Sequence, residues 1–170
     1  MRPPAARLRV VALISGRGSN LQVIAGQARA GRLPVEIRAV VSDRDDAPGI
    51  AWARSEGLNC SVLSPKLYAN RVEYDEALAG KVAAEDPGLV ILAGFMRILG
   101  PEFVDRYVGR MLNIHPSLLP KYRGLHTHRR ALEAGDREHG ASVHFVTREL
   151  DGGPVVLQAR VPVRDGDDEA

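Results

Sequence analysis

Leu8 to Ile14 (LRVVALI) is a nearly unbroken apolar run rich in β-branched residues, closed by the polar sequence Ser15-Gly16-Arg17-Gly18-Ser19-Asn20. A short apolar run that ends in turn residues predicts a strand buried on both faces. Beyond the turn, Leu21, Ile24 and Ala28 fall at helical spacing, from an N-cap at Ser19 or Asn20 to a stop at Gly31. Val35 to Val41 predicts the next strand, with Ser42-Asp43 at its carboxyl end. The pattern then repeats as a helix near Gly49 to Ser55, a strand over Leu58 to Leu63, a helix over Arg71 to Glu85 and a strand over Leu89 to Ala93. A helix over Pro101 to Tyr107 and a strand over Met111 to His115 follow. Strands that alternate with helices need crossover connections, which make a parallel sheet. After His128 a helix runs to about Ala134, and Ser142 to Thr147 and Val155 to Val163 alternate like a hairpin around Asp151-Gly152-Gly153. The fold class is therefore α/β: a Rossmann-like, mainly parallel open sheet with helices on both faces and an antiparallel C-terminal strand pair. Residues 1–170 are expected to form one domain.

Composition narrows this picture little. The 170 residues are 45% hydrophobic and 26% charged, ordinary for a globular chain and unlike a disordered or collagen-like one. The net charge is +2 with both signs interspersed, so nothing electrostatic points to nucleic acid. The lone cysteine, Cys60, excludes an intrachain disulfide. Met1 to Arg9 contains no apolar signal core, and no run approaches the roughly 20 apolar residues of a membrane span. A soluble cytoplasmic protein is expected.

In open α/β sheets ligands bind outside the carboxyl ends of the strands, where Ser15 to Asn20, Gly94 to Leu99 and Asn113 to His115 gather. Gly16-Arg17-Gly18-Ser19-Asn20 lies between a strand and a helix, where backbone N–H groups and the helix dipole can hold a phosphate. Leu21 stands where a dinucleotide fingerprint needs its third glycine, and the Gly-Lys-Ser/Thr ending of a P-loop is missing, so the choice is between a monophosphate site and a plain tight turn. Alternation puts Asn113 and His115 on the same side of their strand, pairing an amide donor with a titratable imidazole, or simply ending the strand. Asp151 sits in a flexible Asp-Gly-Gly turn; brought near His115 it would favour the imidazolium, and otherwise it is a hairpin aspartate. His126, His128, His115 and His139 raise the question of zinc, but the expected carboxylate and cysteine spacing is absent. A G-x-S-x-G nucleophile elbow is likewise missing.

Taken together, Ser15-Gly16-x-Gly18-Ser19-Asn20, Leu92-Ala93-Gly94-Phe95-Met96-Arg97-Ile98-Leu99, Asn113-Ile114-His115-Pro116-Ser117-Leu118-Leu119-Pro120 and Asp151-Gly152-Gly153 resemble the folate-dependent formyltransferases over essentially the whole chain. Within that family, Gly-x-Gly-Ser-Asn and Gly124-Leu125-His126-Thr127-His128 resemble the group that acts on glycinamide ribonucleotide. The resemblance implies transfer of formyl from 10-formyltetrahydrofolate, a cosubstrate, to the amine of 5-phosphoribosylglycinamide in purine biosynthesis, without a metal. It implies catalytic roles for Asn113, His115 and Asp151, and phosphate binding by Gly18, Ser19 and Asn20. Folate contacts would fall to Arg71, Met96, Arg97, Ile98, Leu99 and Asn113, with the loop Thr147 to Asp151 closing over the pterin. The implied partners are these two small molecules, with no nucleic acid or membrane, and the protein would be a monomer or homodimer. Arg123 stands where the family often has Pro or Lys, and the family continues past the position of Ala170 with a helix, a strand and an acidic residue for the glycinamide substrate. Alternatives are another 10-formyltetrahydrofolate enzyme, acting on water or charged tRNA, and a non-catalytic binder of folate or phosphate.

Overall fold

The apolar run Leu8–Ile14 forms β1 and lies inside a seven-stranded sheet, in a computed structural model that describes residues 6–169. Along the chain follow α1 (Ser19–Arg29), β2 (Val35–Ser42), α2 (Pro48–Ser55), β3 (Cys60–Val62), a 3₁₀ turn (Pro65–Leu67), α3 (Arg71–Ala83) and β4 (Leu89–Leu92). Then come α4 (Pro101–Arg106), β5 (Met111–His115), α5 (Thr127–Glu133), β6 (Glu138–Phe145) and β7 (Val155–Pro162). The strand order is β3-β2-β1-β4-β5-β6-β7, parallel from β3 to β5 and antiparallel through β5-β6-β7. The chain leaves β1 first to one side and later, through β4, to the other. A crevice therefore opens above the carboxyl ends of β1 and β4.

Alternation along β1 sorts its side chains into two layers. Val11 and Leu13 pack with Leu78 and Val82 of α3 and Phe103 of α4, while Ala12 and Ile14 pack with Leu21 of α1 and Ile50 and Ala53 of α2. Both faces of the sheet are covered, which is why β1 carries no polar side. One extra residue in β2, Arg38, shifts the pairing from Val10↔Ile37 to Val11↔Ala39. Through that bulge Ile37 joins the α1–α2 layer and Ala39 the opposite one, although they are two residues apart.

Several boundaries differ from the sequence reading. Helix α1 is capped by Gly18, not by Ser19 or Asn20: Gly18 has φ 68°, and no side chain caps the helix. An added Cβ at Gly18 would lie 3.2 Å from the Cα of Gly49, so the close approach of α2 sets the residue type there. Strand β3 is shorter than predicted, because its pairing covers only Val40 to Ser42 of β2. Strand β6 begins at Glu138, since β7 continues opposite it to Pro162. At α3 the Asn70 side chain accepts from the Glu73 N–H and donates to the Glu73 carboxylate, both at 3.0 Å, a reciprocal cap that fixes Arg71 as the first helical residue. Strand β7 lies at a sheet edge, with Val155, Val156, Leu157 and Val161 exposed to between 44% and 66%. Among the described residues no helix is long and apolar enough to cross a membrane. Met1 to Ala5, part of the leader reading, lie outside the described residues, as does Ala170.

Candidate active site

Strand register assembles the polar centre. Across β5 and β6, Asn113 lies opposite His144 and His115 opposite Ser142; across β6 and β7, Ser142 lies opposite Gln158. Paired residues point to one face of a sheet, so two polar rows cross these strands side by side. In the first row Asn113 Nδ2 is 3.1 Å from His144 Nε2, while His144 Nδ1 is 2.9 Å from the Phe145 carbonyl. A carbonyl only accepts, so Nδ1 carries the hydrogen and Nε2 can accept from the Asn113 amide. That contact orients the amide, leaving its second N–H available. In the second row His115 Nε2 donates to the Tyr122 carbonyl at 2.9 Å.

Asp151 joins the two rows. Its Oδ2 lies 3.4 Å from His115 Nδ1 and its Oδ1 3.6 Å from His144 Nε2, with the His115 and Asp151 side chains each 7% exposed and that of His144 2%. The Gly124 N–H donates to Asp151 Oδ2 at 2.9 Å. Asp151 has φ 48°, a left-handed conformation that short polar residues tolerate best. It turns the loop after β6 back over the strand ends. Both nitrogens of His115 thus face oxygens, Nε2 donating to the Tyr122 carbonyl and Nδ1 lying beside the Asp151 carboxylate.

These residues sit at the base of a cleft of about 510 Å³, within the usual range for small-molecule sites. Its apolar wall is built from Leu92, Phe95, Leu99, Val104 and Val146, all packed in or against the α3–α4 layer. Met96, Arg97 and Ile98 line the mouth, and Met96 and Ile98 are 72% and 63% exposed. Arg71 does not line the cleft, but its guanidinium donates to the Ile98 carbonyl at 2.9 Å and so braces the segment that does. The Arg97 guanidinium lies 5.0 Å from the centre of the Tyr74 ring. Opposite, ion pairs Arg148–Asp105 and Arg123–Glu149 flank the loop that carries Asp151.

Gly18, Ser19 and Asn20 lie apart from the cleft lining, at the start of α1. Across the crevice the two regions are stitched together: the Ser15 N–H donates to the Gly94 carbonyl at 3.0 Å, and the Ser15 hydroxyl accepts from the Met96 N–H at 2.9 Å. The structure thus unites Asn113, His115 and Asp151, and links the segment before α1 to the cleft through Ser15, which bonds Gly94 and Met96. The sequence reading missed His144 and Gln158. Strand alternation from Ser142 was the available signal for His144, but nothing in the sequence reveals which strand it faces. His128 and His139 contact each other, with Nδ1 and Nε2 2.9 Å apart, and burial together with the neighbouring imidazole lowers the His139 pKa.

Residues 8–170 match the formyl transferase family. The chain is 55% identical over 162 residues to phosphoribosylglycinamide formyltransferase of Escherichia coli K12, covering 95% of this chain and 76% of that protein. The solved phosphoribosylglycinamide formyltransferase of Coxiella burnetii superimposes with a TM-score of 0.90 at 49% identity, over 95% of this chain and 76% of that one. Glycinamide ribonucleotide transformylase 1 of Symbiobacterium toebii gives 0.93 at 44% identity, over 96% and 77%. With a family match that spans residues 8–170, from β1 through the whole sheet, the chain belongs to the formyl transferase family.

Proposed function

We propose that this protein transfers a formyl group from 10-formyltetrahydrofolate to the primary amine of 5-phosphoribosylglycinamide, a step of purine biosynthesis. The observation that carries this reading is the Asp151 carboxylate held between His115 and His144 at the base of an apolar-walled cleft, with Asn113 hydrogen-bonded to His144. The high identity to enzymes named for this reaction supports it.

In this reading the neutral amine attacks the formyl carbon; a C–N bond forms and the carbonyl electron pair moves onto oxygen. The free N–H of Asn113 and the His115 ring stabilise that oxyanion. The 3.4 Å contact between His115 Nδ1 and Asp151 is the looser of the two that His115 makes, and it is the one a substrate oxygen can replace. Asp151 takes the proton that the attacking nitrogen must lose and delivers it towards N10 of the folate. The carbonyl then re-forms and the C–N10 bond breaks, its electron pair going to N10, which leaves as a neutral secondary amine bearing the delivered proton. Met96 to Leu99 and Asn113 hold the folate, with Arg71 bracing Ile98, and Gly18, Ser19 and Asn20 take the ribose phosphate at the uncapped start of α1.

The test follows loss of the formyl group from 10-formyltetrahydrofolate with and without phosphoribosylglycinamide. Turnover that requires the amine is expected. Formyl release at the same rate without the amine would replace the reading with a hydrolase, and binding of folate without any turnover would replace it with a binding protein.

A further inference from the structure

The second polar row continues past the cleft to the edge of the sheet, ending at Gln158 on β7, which does not line the cleft. Its amide nitrogen donates to the Leu119 carbonyl at 2.8 Å and to the Ser142 hydroxyl at 2.9 Å, so both of its hydrogens are committed. The Ser142 hydroxyl also accepts from the Leu119 N–H at 3.0 Å and donates to the Ser117 carbonyl at 2.7 Å. One hydroxyl hydrogen and two lone pairs are all used, and Ser142 is fully buried. Ser117 donates in turn to the Lys121 carbonyl at 2.6 Å. The next carbonyl along the chain, that of Tyr122, receives His115 Nε2.

We propose that Gln158 is a positioning residue for His115, acting through the turn that follows β5. That turn has no regular secondary structure to hold it, and Tyr122 sits at φ 55°, which an aromatic residue keeps only when its surroundings enforce it. Gln158 and Ser142 enforce it from beneath by gripping the backbone of residues 117 and 119. If the Gln158 amide is lost, the Leu119 carbonyl has no donor and one Ser142 lone pair is empty. A network this fully connected loosens as a unit when one member goes. The carbonyl at Tyr122 then shifts, and the His115 ring with it. Displacements of around 1 Å at a reacting group cost up to about a hundredfold in rate. The inference rests on His115 acting in formyl transfer, yet it concerns a residue that does not line the cleft.

The experiment uses Gln158→Met, which keeps side-chain length and removes both donors, and Gln158→Glu, which keeps the shape and sets a carboxylate against the Leu119 carbonyl. The readouts are thermal unfolding, tetrahydrofolate affinity by fluorescence, kcat, and the His115 Nε2–H resonance in ¹⁵N-edited spectra. In folded variants we expect that resonance to broaden or exchange away, kcat to fall about tenfold, and tetrahydrofolate affinity to stay within about twofold. An unchanged Nε2–H resonance in either folded variant overturns the proposal whatever the rate does. A wild-type protein without turnover, whose Nε2–H signal is nonetheless lost on substitution, would sink the functional reading and leave this one standing.

Discussion

Asp151 serves three partners with one carboxylate: two imidazoles and the Gly124 N–H. Its left-handed backbone is tolerable because aspartate is short and polar, and the adjacent Gly152-Gly153 leaves room for the turn. Asparagine at this position keeps size and shape but cannot take a proton at neutral pH. Asp151→Asn should therefore lower kcat by about 10²–10⁴-fold, the usual worth of general acid–base assistance, with folate affinity close to wild type. Single-turnover kinetics beside a folate titration would check this, and a parallel loss of affinity would assign Asp151 to binding instead. His144 has a different task at the same scale: its acceptor nitrogen orients the Asn113 amide.

At the scale of elements, the loop at Gly16 to Gly18, proposed to hold the phosphate, depends on how closely α2 approaches α1. The Gly49 N–H donates to the Gly16 carbonyl at 3.0 Å, and a Cβ at Gly49 would come within 2.8 Å of both that carbonyl and the Ile14 side chain. Gly49→Ala should thus displace the loop at Gly16 to Gly18, weaken binding of the phosphorylated substrate, and destabilise the fold by roughly 1–3 kcal/mol as overpacking does. Calorimetry with each substrate would show the asymmetry, since the folate cleft lies across the crevice. Periodicity made most of these elements legible: the bounds of β1 and β5 match the apolar runs, and Asn113 and His115 share a face as alternation requires. It could not reveal the register that sets Asn113 against His144 and His115 against Ser142, because pairing is decided between strands and not along one. The start of β6 was illegible for a related reason: Glu138-His139-Gly140 has no apolar signal and becomes strand only through its partner β7. The convergence of Asp151 with His115 came from family resemblance, since no local rule links residues this distant in sequence.

For the molecule as a whole, stability is linked to pH through His139, which bridges β6 to α5 by its contact with His128. Burial, and then the neighbouring imidazole, lower its pKa from 6.5, so the folded state prefers it neutral while the unfolded chain protonates at the ordinary value. The stabilisation is present above pH 6.5 and is lost as pH falls through the lowered folded value. Thermal unfolding should show a midpoint that declines as pH falls below 6.5, and His139→Gln should flatten that decline. The sheet also ends unequally: one edge is the three-residue β3, the other the eight-residue β7 with its row of exposed valines and leucine. A long apolar edge is a template for pairing with another copy, so β7 of this chain is expected to be where copies associate at high concentration. Leu157→Lys should raise the concentration at which light scattering appears, because a charge on that strand repels an incoming copy.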